Sequence, residues 1–194
     1  MAGDGHLSGA EGRPREEIEA GSRTLRRHRP SDTAAILEAV NESLAHLAVW
    51  MSWAQVPATD ESIGTFLAGA VADFEDGTNF GYAITERDAT GTEVIVGGCG
   101  LHPRVGPGGI EIGYWVHAAH LRRGIAKAAA VALRDQAFAM GLDRVEIHCD
   151  EQNTASAAVA RSAGFDLIGT ETRSPRVPSE SDVALIWRSP HRGD

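Results

Sequence analysis

At 194 residues with a formal net charge of −9 and an isoelectric point near 5.3, the chain suits one α/β domain with a substantial core, and its charge argues against general nucleic-acid affinity. An acidic exterior also suits a cationic amine substrate, although most acidic surfaces only confer solubility. Cys99 and Cys149 sit in apolar strand-like runs without a Cys-x-x-Cys, which reads as reduced core thiols; with no leader-like opening and no apolar run of membrane length, the expected location is the cytoplasm, off the membrane.

Residues 1–22, rich in Gly, Glu and Arg without a period, are expected to form a flexible tail ahead of a single folded domain over 23–190. A short strand starts at Thr24. Ser31 or Asp32 then caps a helix through about Leu47, with Ile36, Leu37, Val40 and Leu44 as its buried stripe. The aromatic loop Trp50-Met-Ser-Trp53 plugs the core, touches substrate, or does both. Thr59 or Asp60 caps a second helix to about Phe74, closed by Asp76-Gly77. Strands follow at 79–86 and 92–102, joined by the turn Asp88-Ala-Thr-Gly91. Gly97, Gly98, Gly100, Gly106, Gly108 and Gly109 read as turn and bulge glycines, since no helix follows them as a phosphate loop requires.

The stretch Ile110 to Leu133 reads as a strand, a basic loop and an alanine-rich helix. Ile110, Ile112, Tyr114 and Val116 share one strand face, and Glu111, Gly113 and Trp115 share the other, a carboxylate beside open space. In the helix, Ile125, Ala129, Ala132, Leu133 and Met140 line one side, and the small alanines let it lie close on a sheet. At its start the amides of Arg123, Gly124, Ile125 and Ala126 are free to hold an anion, and Arg122, Arg123 and Lys127 add positive charge. That is a diphosphate cradle beside a carboxylate. After Gly141 come a strand over Arg144 to Cys149, a helix Thr154 to Ala163 capped by Asn153, and strands at 165–173 and 182–188. The order β-α-α-β-β-β-α-β-α-β-β predicts an α/β domain of the mixed α+β kind, with helices on both faces of one sheet.

Each candidate has a plain rival. Glu111 could be a solvated edge carboxylate, Arg122 and Arg123 surface charge, Asn153 a cap, and Ser156 a first-turn residue bonded to the backbone. His117 and His120 lack a third ligand, so no metal site is expected, and Cys99 with His102 makes a poor nucleophile pair.

The runs Glu111-Ile-Gly-Tyr-Trp115, Arg123-Gly-Ile-Ala126, Asn153-Thr-Ala-Ser156 and Ala163-Gly-Phe165, in that order, resemble the GNAT superfamily of acetyl-CoA-dependent N-acetyltransferases. Within it the chain is similar to the RimJ/RimL-type group, whose tryptophan loop Trp50-Met-Ser-Trp53 also resembles. The resemblance spans roughly 24–188. It implies a GNAT-type twisted sheet, mixed and largely antiparallel, of about seven strands flanked by about four helices. It further implies acetyl-CoA as co-substrate, no metal, and a primary-amine acceptor, either a protein N-terminus or a small amine. A homodimer is suggested too, without nucleic-acid or membrane partners. By resemblance, Trp115, Val116 and His117 offer backbone groups to the pantetheine arm, and Arg122, Arg123, Gly124, Ile125, Ala126 and Lys127 hold the diphosphate. Asn153 bonds the pantetheine, Ser156 lies near the sulfur as the acid, Glu111 is the base acting through a water, and a main-chain N–H at Val116 meets the oxyanion. Two departures stand out. Leu121 replaces the Gln or Arg that opens the family's diphosphate motif, and Ala160 replaces its tyrosine acid. A small-amine acetyltransferase and a non-catalytic CoA-binding domain are the alternatives.

Overall fold

A computed structural model of the chain describes residues 12–190. Its eight strands form one sheet in the order β1-β2-β3-β4-β5-β6-β8-β7. The strands are β1 (Glu17–Ala20), β2 (Arg23–Arg27), β3 (Phe80–Arg87), β4 (Glu93–His102), β5 (Gly109–Val116), β6 (Arg144–Asp150), β7 (Asp166–Thr172) and β8 (Val183–Arg188). Every neighbouring pair is antiparallel except β5 with β6. The helices are α1 (Thr33–Glu42), α2 (Leu44–Leu47), α3 (Asp60–Asp76), α4 (Ile125–Ala139) and α5 (Thr154–Ser162).

Most elements fall where the sequence predicts them, with three differences. The tail expected through residue 22 is too long, because Glu17–Ala20 pairs with Arg23–Arg27 as an edge hairpin and raises the sheet from about seven strands to eight; residues 1–11 lie outside the described residues. The helix expected to run unbroken to Leu47 is divided at Ser43, whose fully buried hydroxyl accepts the Ala118 N–H at 2.9 Å. Asp32 precedes α1 without capping it. Its two oxygens instead accept from the Arg26 guanidinium at 3.1 and 3.0 Å, and one of them also takes the Arg29 N–H at 2.8 Å.

The main core lies between the sheet and α4 with α5. Ile110, Ile112 and Val116 of β5 meet Ile125, Ala129 and Leu133 there, and the fully buried Ala129, Ala130 and Ala137 let α4 lie close on the strands. A smaller cluster on the opposite face joins Ile36 and Val40 of α1 to Ile63 and Leu67 of α3, with Trp115 packed against it. Of the two caps expected for α3, Thr59 is the one used; it forms a capping box with Ser62, and the helix stops at the left-handed Gly77. Gly97, Gly98 and Gly100, expected to mark turns or bulges, lie inside β4; the pairing with β3 shifts register beside Gly97, as a bulge does, while Gly98 and Gly100 lie in regular register. A Cβ on Gly98 would sit 2.4 Å from Trp115 Nε1, and one on Gly100 would sit 3.0 Å from His102. These positions are bare so that two rings can lie flat on the sheet. Among the described residues no helix is long and apolar enough to cross a membrane.

Candidate active site

The site forms where β5 and β6 part. Their parallel pairing is confined to Gly109↔Arg144, Ile110↔Val145 and Glu111↔Glu146, so Glu111 stands at the last joined step. Beyond it β5 remains paired with β4 alone, through Gly97↔Val116. The His117 N–H donates to Val96 O on β4 at 2.9 Å. Alternation along an antiparallel strand then turns Trp115 toward β4 as well, and directs the N–H and C=O of Tyr114 and Val116 into the open fork. Of the three residues expected to present backbone to an incoming chain, Val116 faces the fork while Trp115 and His117 are bonded away from it.

Glu111 is 9 % exposed and lies on the face that carries His102 and Trp115. Arg104, from the loop before β5, grips it bidentately, Nε to Oε2 at 2.7 Å and Nη2 to Oε1 at 2.9 Å. Each carboxylate oxygen still has a second lone pair for a water. Its cross-strand partner His102 bonds Asn79 Oδ1 through Nδ1 at 2.7 Å, and burial pushes its pKa down to about 4, so the ring is neutral near pH 7. The amide oxygen can only accept, so the ring proton sits on Nδ1. Trp53 meets Trp115 edge to face at 6.3 Å and is 51 % exposed, which makes the aromatic loop partly wall and partly open surface.

At the far end of the fork the chain turns through Arg122, φ 62°, and Gly124, φ 73°, into α4. A left-handed arginine costs on the order of 1–3 kcal/mol, held here by the surrounding bonds. Glu86 on β3 accepts from Arg23 at 3.2 Å and pairs with Arg123 at 3.0 Å; Arg23 also reaches the Arg123 carbonyl at 3.4 Å. The Arg123 guanidinium further donates to His120 Nδ1 at 2.6 Å. Burial holds His120 below its usual pKa, as an acceptor requires. The Arg123 side chain therefore braces the turn and is not free to hold an anion. α4 has no side-chain cap, in contrast to α3 and α5. The Ala128 N–H bonds Gly124 O at 3.0 Å, which leaves the amides of Gly124, Ile125, Ala126 and Lys127 directed out of the helix mouth. Nothing lies within 4 Å of a Cβ built on Gly124. Free amides at an uncapped helix start suit a diphosphate, and Arg122 and Lys127 are exposed cations in the same turn of chain.

Across the fork on the other sheet face, Asn153 Oδ1 accepts the Ser156 N–H at 3.0 Å and caps α5. This leaves its Nδ2 as the group to reach a ligand. His117 is buried, its Nδ1 accepting from Ala119 N at 3.1 Å and its Nε2 3.1 Å from Glu42. Cys99 and Cys149 are buried free thiols, both pushed up in pKa by burial. Among the described residues no cluster of three or more His, Cys, Asp or Glu is arranged to hold a metal ion. The sequence missed Arg104, Glu86, Arg23 and Tyr114. Their partners are distant in the chain or beyond a loop, and Tyr114 looks like one more apolar-face residue.

A family model for the acetyltransferase (GNAT) domain matches residues 23–166, a span that holds the forked parallel pair, the carboxylate at its apex and the uncapped helix mouth at its end. The chain belongs to that family. This GNAT domain is accordingly an acetyl-CoA-dependent N-acetyltransferase. Its fold is similar to that of RimL, a ribosomal L7/L12 α-N-protein acetyltransferase solved with coenzyme A, at 22% identity and TM-score 0.81 over 92% of this chain and 100% of that one. It is also similar to the microcin C7 self-immunity acetyltransferase MccE, solved with acetyl-CoA and AMP, at 19% identity and TM-score 0.81 over 90% and 96%. Mycobacterium smegmatis RimJ, in complex with CoA-disulfide, is 27% identical at TM-score 0.74 over 88% and 83%. No curated protein matches the sequence.

Proposed function

We propose that this GNAT domain acetylates the α-amine of a protein or peptide, by direct attack of the amine on acetyl-CoA with Glu111 as base through one water. The observation that carries the reading is Glu111 at the apex of the β5–β6 fork, oriented by Arg104. An amine attacks only when neutral, and an α-amine, with a pKa of about 7.7–8.0 against about 10.4 for lysine, needs the least help. The Val116 N–H, directed into the fork, is the donor for the tetrahedral oxyanion, a contribution worth about 2.7–4 kcal/mol in comparable sites. The amides and cations of Arg122 to Lys127 hold the diphosphate, with Asn153 on the pantetheine and Ser156 at the sulfur. Similarity to RimL and to RimJ supports the protein-amine acceptor. Similarity to MccE, an acetyltransferase named for self-immunity to microcin C7, supports the rival reading of a non-ribosomal acceptor such as a small amine.

Thiol release from acetyl-CoA, measured against a panel of N-terminal peptides and small amines, separates the two. Peptides are expected to be turned over, and activity confined to small amines would refute the protein reading. Glu111→Gln should lower kcat by about 10²–10⁴-fold with coenzyme A affinity unchanged. A variant as fast as the parent would remove Glu111 as base.

A further inference from the structure

We propose that Tyr114 is a positioning residue for the transfer step: its hydroxyl donates to Ser156 Oγ and so turns the Ser156 proton toward the departing sulfur. The two oxygens are 2.9 Å apart, nearer than Tyr114 OH to the Ser156 carbonyl at 3.4 Å. The bond crosses the fork, from the half of β5 that β6 has left to the first turn of α5. Ser156 is fixed from below by the Asn153 bond to its amide, so the remaining freedom is rotation of its hydroxyl. Burial keeps the Tyr114 phenol protonated. A phenol that donates to Oγ leaves the serine proton free to point elsewhere. In the free protein that proton meets Cys149 on β6, a side chain hydrogen-bonded to Ser156, and a departing thiolate is the stronger acceptor that draws it away.

This rests on Ser156 lying at the thioester. As the nitrogen–carbon bond forms and the carbon–sulfur bond breaks, the electron pair stays on sulfur, and the amine proton passes to the water at Glu111. A serine hydroxyl is a far weaker acid than a thiol with a pKa of about 8.5, so its proton remains on oxygen and is only shared with the thiolate. The solvent reprotonates the thiolate after release. Ser156 is then a hydrogen-bond donor, not the proton source that the family resemblance suggests.

The test requires no acceptor. A donor aimed at sulfur favours the thiolate, so coenzyme A should bind more tightly as pH rises past the thiol pKa, whereas desulfo-coenzyme A should not. Calorimetric titration of the full chain at pH 7 and pH 9.5 is expected to show about a tenfold gain for coenzyme A relative to desulfo-coenzyme A, the size of a hydrogen bond to a charged group. Cys149 and Tyr114 face both ligands alike, so their own titration cancels in that ratio. Tyr114→Phe and Ser156→Ala should each abolish the gain and leave desulfo-coenzyme A affinity unchanged. If Ser156→Ala loses the gain but Tyr114→Phe keeps it, Tyr114 has no such role. Equal weakening of both ligands by Tyr114→Phe would mean that its part is structural, which also overturns the proposal. If the parent shows no gain, Ser156 does not reach the sulfur and the proposal falls with it, while thiol release with amines still judges the acetyltransferase reading separately.

Discussion

With Glu111 as the proposed base, Arg104 should matter to chemistry and little to folding. Its side chain is 57 % exposed, so its pair with Glu111 is screened on one side, and such pairs contribute at most about 1 kcal/mol to stability. Its two bonds nevertheless set the plane of the carboxylate and decide which lone pairs face the fork. A misplacement of a reacting group by about 1 Å lowers rates by about a hundredfold. Arg104→Gln should therefore reduce kcat by about ten- to a hundredfold. Its denaturation midpoint and the KM for acetyl-CoA should barely move. A loss of stability as large as the loss of rate would make Arg104 a structural anchor instead.

Among the elements, the N-terminal hairpin is fastened by a group that the sequence reads as a helix cap. The Arg26 side chain on β2 is 4 % exposed and lies against Asp32 at 3.0 Å and Glu93 at 3.1 Å. Removing one partner from a buried pair costs about 3–5 kcal/mol, and Glu93 remains to hold part of the charge. Asp32→Ala should cost about 3 kcal/mol in a denaturant melt, hence about 6–12 °C in midpoint temperature for a chain of this length; a change below 1 kcal/mol would mean that Asp32 is only an ordinary cap. The same contrast explains what was legible in the chain. β5 and α4 carry apolar residues at periods of two and 3.6, and α3 opens on Thr59 and stops at Gly77, so burial and capping write those elements into local order. β1 escapes notice because Glu17–Ala20 is a short, polar edge strand held by backbone bonds to β2. Glu111, Asn153 and the mouth of α4 could be placed from their spacing. The partners of Glu111, Arg123 and Ser156 could not, because ion pairs and hydrogen bonds to Arg104, Glu86 and Tyr114 depend on rotamers and distant approach and leave no period.

For the molecule as a whole, the fork is an unfinished sheet. β5 and β6 share three paired steps and then separate, while β6 goes on to pair with β8 through Asp150↔Ala184. The polar groups of Tyr114 and Val116 thus face a gap, and the proposed function has an extended pantetheine fill it in the manner of an added strand. The amides on the other side of the same strand are already bonded to β4, so a ligand that docks as a strand must protect alternate residues. Amide exchange followed residue by residue should show Tyr114 and Val116 exchanging quickly in the free protein and at least about tenfold more slowly with saturating coenzyme A, with Trp115 and His117 nearly unchanged. Binding to the folded state alone also raises stability, by about 2.7 kcal/mol at a hundred times Kd, or about 5–11 °C in midpoint temperature. That global gain reaches only amides that exchange through complete unfolding, so it cannot produce the alternation. If all four amides slow by the same factor while the midpoint rises, coenzyme A binds elsewhere and the fork is not its seat.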